Sequence, residues 1–200
     1  LLLVPSGSPV VERVADLVAS APAGILLNAN VAALLNRNRD QLAALPGVRR
    51  IVSSAPVGDG FQAVPTLLVT DASNALTHMD LLTVECFGPV GVIVEYHSLA
   101  QVVEVLASLE GALVGTIHGD VVDDGVAEVL AALANRCGRV VWNGWPTGVA
   151  VTAGQHHGGP YPASTSPQYT SVGTSATLRF QRPVAFQGFP TELLPQALRG

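Results

Sequence analysis

Glu85 and Phe87 stand two residues apart, with Cys86 between them and Gly88-Pro89 directly after. Pro89 has no N–H and fixes its own φ, and it restricts Gly88 as well, so this loop is stiff where it meets the apolar run 90–94. A stiff loop at a strand end is a good place to hold a ligand. The plainer reading is an ordinary loop with a solvated Glu and a core Phe. Cys86 is a possible nucleophile by residue type, yet no local His base accompanies it, and a small buried Cys is the commoner case. Cys137 lies just past an expected helix end and reads as structural. His156-His157 invites a metal, but adjacent side chains point in different directions and no carboxylate follows at ligand spacing. They read as loop histidines, and no metal is expected. Asp123-Asp124 reads as the acidic start of a helix. The chain holds no G-x-G-x-x-G, no phosphate loop and no G-x-S-x-G elbow.

Composition narrows the classes further. Two hundred residues suit one domain with room for a real core. Apolar residues make up 48% and charged residues 12%. That is rich for a free-standing monomer and points to apolar surface meant to be covered. A net charge of −5 argues against a nucleic-acid surface, and no apolar run is long enough for a membrane span. All ten basic residues are Arg. Without Lys the chain offers neither a Schiff base nor a phosphate-loop ammonium. Cys86 and Cys137 match no metal spacing, and a reduced, cytoplasmic setting is the default. The chain opens on Leu1 inside an expected strand and its one Met is Met79, so it reads as beginning mid-protein.

The elements that must position these residues alternate. Residues 1–4 read as a short strand, and Ser8-Pro9 as a helix start with Ser as cap and Pro at the first helical position. A second helix is expected over 30–44, stopped by Pro46-Gly47. Strands follow near 48–52, 66–70 and 90–96. Ser98 with Gln101 has the capping-box spacing for the next helix. Then come a strand at 113–117, a helix at 123–136 and a strand at 140–143. Such alternation predicts an α/β fold, a largely parallel sheet with helices on both faces. From Asn143 onward Gly and Pro break every regular element, and a loop of that length is usually functional or packed on another body. Residues 178–187 read as a last strand, with Pro183 suiting an edge. The expected division is an α/β portion at 1–145, a site-bordering loop at 146–177 and a C-terminal arm at 178–200.

Glu85-Cys86-Phe87-Gly88-Pro89 resembles the E-x-F-G-P element of the aldehyde dehydrogenase superfamily. The run from Arg139 to Val149, containing Trp142-Asn143-Gly144-Trp145-Pro146-Thr147-Gly148, resembles a strand and Asn-containing loop late in those enzymes. Gln155 to Thr165, Thr170 to Thr174 and Arg179 to Val184 are similar to one branch, the α-ketoglutaric semialdehyde (2,5-dioxopentanoate) dehydrogenases. The likeness spans essentially the whole chain, as the C-terminal part of such an enzyme. It implies a three-layer catalytic-domain fold whose arm ends in an edge strand.

The resemblance also implies roles. Glu85 would accept hydrogen bonds from the nicotinamide ribose of NADP or NAD, and Phe87 would pack beside it. Asn143 would hold active-site loops, while Pro146, Thr147, His157, Gly158 and Gly159 would border the aldehyde pocket. Cys86 departs from the aliphatic residue more usual there. The family's nucleophilic Cys, general-base Glu and dinucleotide-binding domain belong upstream of the matched stretch. In that mechanism a thiolate attacks the aldehyde, the thiohemiacetal gives hydride to NAD(P)+, and activated water releases the acid. The expected partners are an aldehyde, the N-terminal dinucleotide-binding portion and further copies of the chain. Two rival readings are a noncatalytic nucleotide-binding or assembly domain and an independent enzyme using Cys86.

Overall fold

Thr66 to Thr70 is buried at every position, as a central strand covered on both faces must be. A computed structural model describes residues 1–199 and builds the chain around that strand. The elements run β1 (Leu2–Pro5), α1 (Pro9–Ser20), β2 (Gly24–Ile25), α2 (Ala29–Ala43), β3 (Arg49–Val52), β4 (Gln62–Ala63) and β5 (Thr66–Asp71). They continue as α3 (Ala72–Thr77), α4 (Asp80–Thr83), β6 (Val90–Tyr96), α5 (Leu99–Ser108), β7 (Ala112–Ile117), α6 (Val126–Ala134) and β8 (Cys137–Trp142).

The main sheet has the order β1-β6-β5-β3, with β1, β6 and β5 parallel and β3 antiparallel to β5. Alternate residues of β5 face opposite ways. Leu67 and Val69 join Val4 and Ile93 against Val11 and Ala15 of α1. Leu68 packs with Leu42 of α2 and Leu81 of α4, while Val94 meets Ala72 and Ala75 of α3 and Val105 of α5. Helix, sheet and helix therefore form three layers, as the alternation of elements predicts. Each fully buried aliphatic side chain contributes about 1.5–3 kcal/mol relative to exposure. β7 and β8 form a separate parallel pair. Ile117 and Val140 tie it to the body through Leu133, Val102 and Leu106.

Local signals set several boundaries. The Ser8 hydroxyl accepts from the Val10 N–H, with Pro9 opening α1. Asn28 caps α2 by accepting from the Val31 N–H at 3.0 Å, and Gly47 leaves that region with φ 69°. Ser98 accepts from the Gln101 N–H at 3.4 Å, while the Gln101 amide oxygen accepts from the His97 N–H at 2.8 Å, one residue outside the usual box.

Three expectations are corrected. Asp123-Asp124 is not a helix start: α6 begins at Val126, after Gly125 at φ 77°. The Asp123 carboxylate instead closes a turn by accepting from the Asp120 N–H at 2.7 Å. Asn143 is not part of β8, which spans Cys137–Trp142, because Asn143 turns away at φ 49°. Residues 178–187 form no strand. Thr174–Phe180 is a 3-10 turn, and residues 181–189 have no regular element. A strand needs a ladder partner, and the recorded hydrogen bonds of residues 174–199 stay within that segment and its neighbour Gly173. Among the described residues no helix is long and apolar enough to cross a membrane.

Candidate functional site

Val84 leaves α4 in extended form, and burial then alternates from Val84 to Phe87. Val84 and Cys86 turn inward to the cluster of Leu42, Leu68 and Leu81. Glu85 is exposed, and the Phe87 ring is 61% exposed on the same outward side. The plainer reading of a core Phe does not hold, because the inward position belongs to Cys86. Burial pushes the Cys86 thiol up, and Glu85 adds to the rise while Arg39 opposes it. A protonated, half-buried thiol is a poor nucleophile.

Four contacts brace the loop. The Asn38 side-chain amide donates to the Glu85 carbonyl at 3.0 Å. Gly88 lies against buried Leu35 so closely that a Cβ there would stand 2.9 Å from a Leu35 methyl. The Val90 N–H donates to the Gly88 carbonyl at 2.8 Å, and the Thr66 N–H to the Pro89 carbonyl at 2.9 Å, which fastens the loop to β5. The result is an exposed carboxylate beside an exposed ring on a backbone held from below. Two acceptor oxygens suit a pair of sugar hydroxyls, and the ring suits the sugar's apolar edge. An acceptor pair beside an aromatic face fits a hydroxyl-bearing sugar.

Asn143 closes the far end of β8. Its amide oxygen accepts from the Gly119 N–H and its amide nitrogen donates to the Gly119 carbonyl, both at 2.9 Å. Its own N–H donates to the Ile117 carbonyl. Asn tolerates the left-handed region better than most residues. The chain then folds back along β8, where the Arg139 guanidinium donates to the Thr147 carbonyl at 2.6 Å. Pro146 and Thr147 are exposed on this returning loop, and Trp145 packs near His118 with ring centroids 5.5 Å apart.

Gly158 and Gly159 are buried at the opposite end of the strand pair. A Cβ on Gly138 would stand 2.0 Å from the Gly158 carbonyl oxygen, and one on Gly159 2.4 Å from that of Ala112. Backbone therefore lies directly on backbone, which is what glycine permits. From Gly138 to Asn143 is five residues, roughly 16 Å of extended chain. His157 is pinned here as well: its N–H donates to the Thr170 hydroxyl at 2.9 Å, and its ring Nδ1 meets the Ser171 hydroxyl at 2.8 Å. Among the described residues no cluster of three or more His, Cys, Asp or Glu side chains could hold a metal ion.

A cavity of about 230 Å³ is lined by Leu1, Leu82, Thr83, Leu109, Glu110 and Ala112. It puts Thr83, two residues before Glu85, on the same side of the molecule as Ala112 and the glycine pair. The structure brings Gly158 and Gly159 to the Ala112 and Gly138 end of the strand pair and puts Asn143 at the other, with no recorded hydrogen bond between either group and Glu85 or Phe87. A second cavity of about 290 Å³ lies behind the loop, lined by Asn38, Gln41, Leu42, Leu45, Asp80 and Val84. Neither of these two cavities is lined by Glu85 or Phe87, whose side chains are exposed. Sequence reasoning missed Asn38, Gly119 and Thr170. Thr170 lay in a run already singled out, Thr170 to Thr174, and Asn38 stood out as a polar residue between Leu35 and Leu42 in a helical stripe, while Gly119 carried no signal.

The pattern of the aldehyde dehydrogenase family matches residues 29–166. The chain belongs to the aldehyde dehydrogenase family. It is 40% identical over 186 residues to alpha-ketoglutaric semialdehyde dehydrogenase 2 of Azospirillum brasilense, covering 92% of this chain and 35% of that protein. It is 35% identical over 196 residues to the alpha-ketoglutaric semialdehyde dehydrogenase of Acinetobacter baylyi, covering 98% of this chain and 37% of that protein. The chain thus spans little more than a third of the curated relatives it matches. Among solved structures, a proline utilization A protein of Bradyrhizobium japonicum aligns with a TM-score of 0.64 and 19% identity, over 84% of this chain and 18% of that one. A lactaldehyde dehydrogenase aligns at 0.59 and 20%, over 78% and 34%. These structural likenesses show that the aldehyde dehydrogenase fold is present.

Proposed function

We propose that this chain is the C-terminal, site-bordering part of an NAD(P)-dependent aldehyde dehydrogenase that oxidises an ω-oxo acid, such as α-ketoglutaric semialdehyde, to the dicarboxylate. One observation carries the reading. In a chain 40% identical to a curated α-ketoglutaric semialdehyde dehydrogenase, Glu85 and Phe87 are turned outward from a loop whose backbone is anchored from beneath.

A bound NAD or NADP supplies the two-electron acceptor for aldehyde oxidation. Glu85 accepts hydrogen bonds from the ribose hydroxyls and fixes the sugar's position, while Phe87 covers its apolar side. His157, Gly158 and Gly159 border the aldehyde, held in shape by Thr170 and Ser171. Pro146 and Thr147 extend that border, and Asn143 holds the returning loop through Gly119. The nucleophilic thiolate and the general base come from the longer protein, since Cys86 faces the core. The isolated chain is inactive on this account. Exposed Phe180, Phe186, Phe189, Leu193 and Leu198 support an arm that packs on another part of the protein or on a further copy. The two free cysteines suit a reducing, cytoplasmic compartment.

The test is reduced-cofactor formation with an ω-oxo-acid aldehyde and NAD+ or NADP+, run on this chain and on the complete reading frame that contains it. Activity only in the complete protein supports the proposal. Activity in this chain alone, abolished by Cys86→Ala, contradicts it.

A further inference from the structure

We infer that Asn38 is the positioning residue of the cofactor wall: its side-chain amide sets the rotation of the Glu85 peptide, and thereby the direction of Glu85 and Phe87. The inference rests on the reading of Glu85 given under the proposed function.

Asn38 lies on the inward stripe of α2, three residues after Leu35 and four before Leu42, so helix geometry places all three on one face. Leu35 is 1% exposed and Leu42 2%. Asn38 itself is half-buried, and the part of its amide taken out of water costs desolvation unless its hydrogen bonds are made. Here the Nδ2 donates to the Glu85 carbonyl at 3.0 Å, across 47 residues of sequence. The same helix face meets the loop at two further points. Leu42 belongs to the cluster that takes up Val84 and Cys86, and Leu35 closes against Gly88.

These three contacts differ in kind. Apolar packing by Leu42 and Leu35 sets how deeply the loop sits, but it is non-directional. The loop's backbone hydrogen bonds lie at its two ends, at Val84 and at Gly88 and Pro89, so the rotation of the peptides between those ends decides where an alternating pair of outward side chains points. A hydrogen bond to a carbonyl has a preferred direction. Asn38 makes the directional contact between those ends, and it reaches the residue that carries the carboxylate. Packing alone does not fix Asn38 itself, because it also borders the 290 Å³ cavity with Gln41 and Asp80.

The experiment compares Asn38→Leu, Asn38→Asp, Asn38→Gln, Glu85→Ala and the double variant Glu85→Ala with Asn38→Leu in the complete protein. It reads KM for the cofactor, kcat and the urea midpoint. Asn38→Leu and Asn38→Asp both lose the N–H donor and raise the cofactor KM roughly three- to tenfold, the scale of one hydrogen bond. Asn38→Gln keeps a donor and recovers part of the loss. Against a Glu85→Ala background the added effect of Asn38→Leu shrinks to roughly twofold, since only the Phe87 ring remains to be aimed. A general folding defect would instead move the urea midpoint and persist in the double variant. Asn38→Asp, close to Asn in size, carries the test alone if Asn38→Leu does not fold. If Glu85→Ala raises the cofactor KM while Asn38→Leu and Asn38→Asp leave it unchanged, the inference is overturned and the reading of Glu85 stands. If Glu85→Ala itself leaves the cofactor KM unchanged, the reading of Glu85 falls and this inference with it.

Discussion

Asn143 and Gly119 are paired side chain to backbone in both directions, amide oxygen to N–H and amide nitrogen to carbonyl, each at 2.9 Å. The pairing joins the loop after β7 to the turn that leaves β8, and it holds Asn143 at φ 49°. Asn143→Ala removes both bonds and leaves a Cβ residue in the left-handed region. We expect a loss of about 2 kcal/mol, read from urea unfolding. Asn143→Gly keeps the backbone conformation accessible and loses only the pairing, so its loss is smaller. Equal losses in the two variants would show that the φ of Asn143 costs nothing to maintain.

Gly138 tests the close approach at the other end of β8. A Cβ there meets the Gly158 carbonyl oxygen at 2.0 Å, backbone against backbone, with no flexible side-chain tip to swing aside. Gly138→Ala therefore pushes the 155–172 loop off the strand pair. The expected cost is about 2–3 kcal/mol in thermal or urea unfolding, the upper range for overpacking. Limited proteolysis should cut first within 143–173 in that variant. An unchanged midpoint and cleavage pattern would mean that the glycine pair is not packed on β8.

Cys86 and Cys137 give a pH prediction. Burial pushes both thiols up, so the folded chain holds these protons to higher pH than the unfolded chain does. Stability is unaffected below the unfolded thiol pKa. It falls as pH rises from that value toward the raised folded one, because the unfolded state releases its protons first. Urea midpoints of the wild type and of Cys86→Ser with Cys137→Ser, taken from neutral to mildly alkaline pH, measure this. The wild type should decline more steeply in the alkaline part. Parallel profiles would place both thiols in water.

Much of the fold was legible from local signals. Ser8-Pro9, Pro46-Gly47 and Ser98 with Gln101 act within a few residues of themselves, and helix limits near them were found within a residue or so. Where placement depends on distant partners the sequence was silent. Asp123-Asp124 has the composition of a helix start, yet Gly125 at φ 77° breaks the chain there and the carboxylate turns to Asp120. Residues 178–187 have strand-forming types, but a strand exists only with a neighbour to pair with. At the candidate site, the outward Glu85 and Phe87 stand in one contiguous motif that the sequence displays directly. The role of Asn38 was not legible, because nothing local shows that a polar residue in an apolar stripe serves a carbonyl 47 positions away. The burial of Gly158 and Gly159 was hidden for the same reason, since their contacts are with Ala112 and Gly138.

Glu85 carries the central claim, and Glu85→Gln in the complete protein tests it most directly. The change keeps size and polarity while replacing one charged acceptor by an amide, and Glu85 is exposed, so folding should be unaltered within about 0.5 kcal/mol. The measurement is steady-state reduced-cofactor formation with an ω-oxo-acid aldehyde, wild type against variant, alongside their urea midpoints. Slower turnover at an unchanged midpoint is the predicted result. Identical kinetics in the two proteins would contradict the assignment of this loop to the cofactor wall.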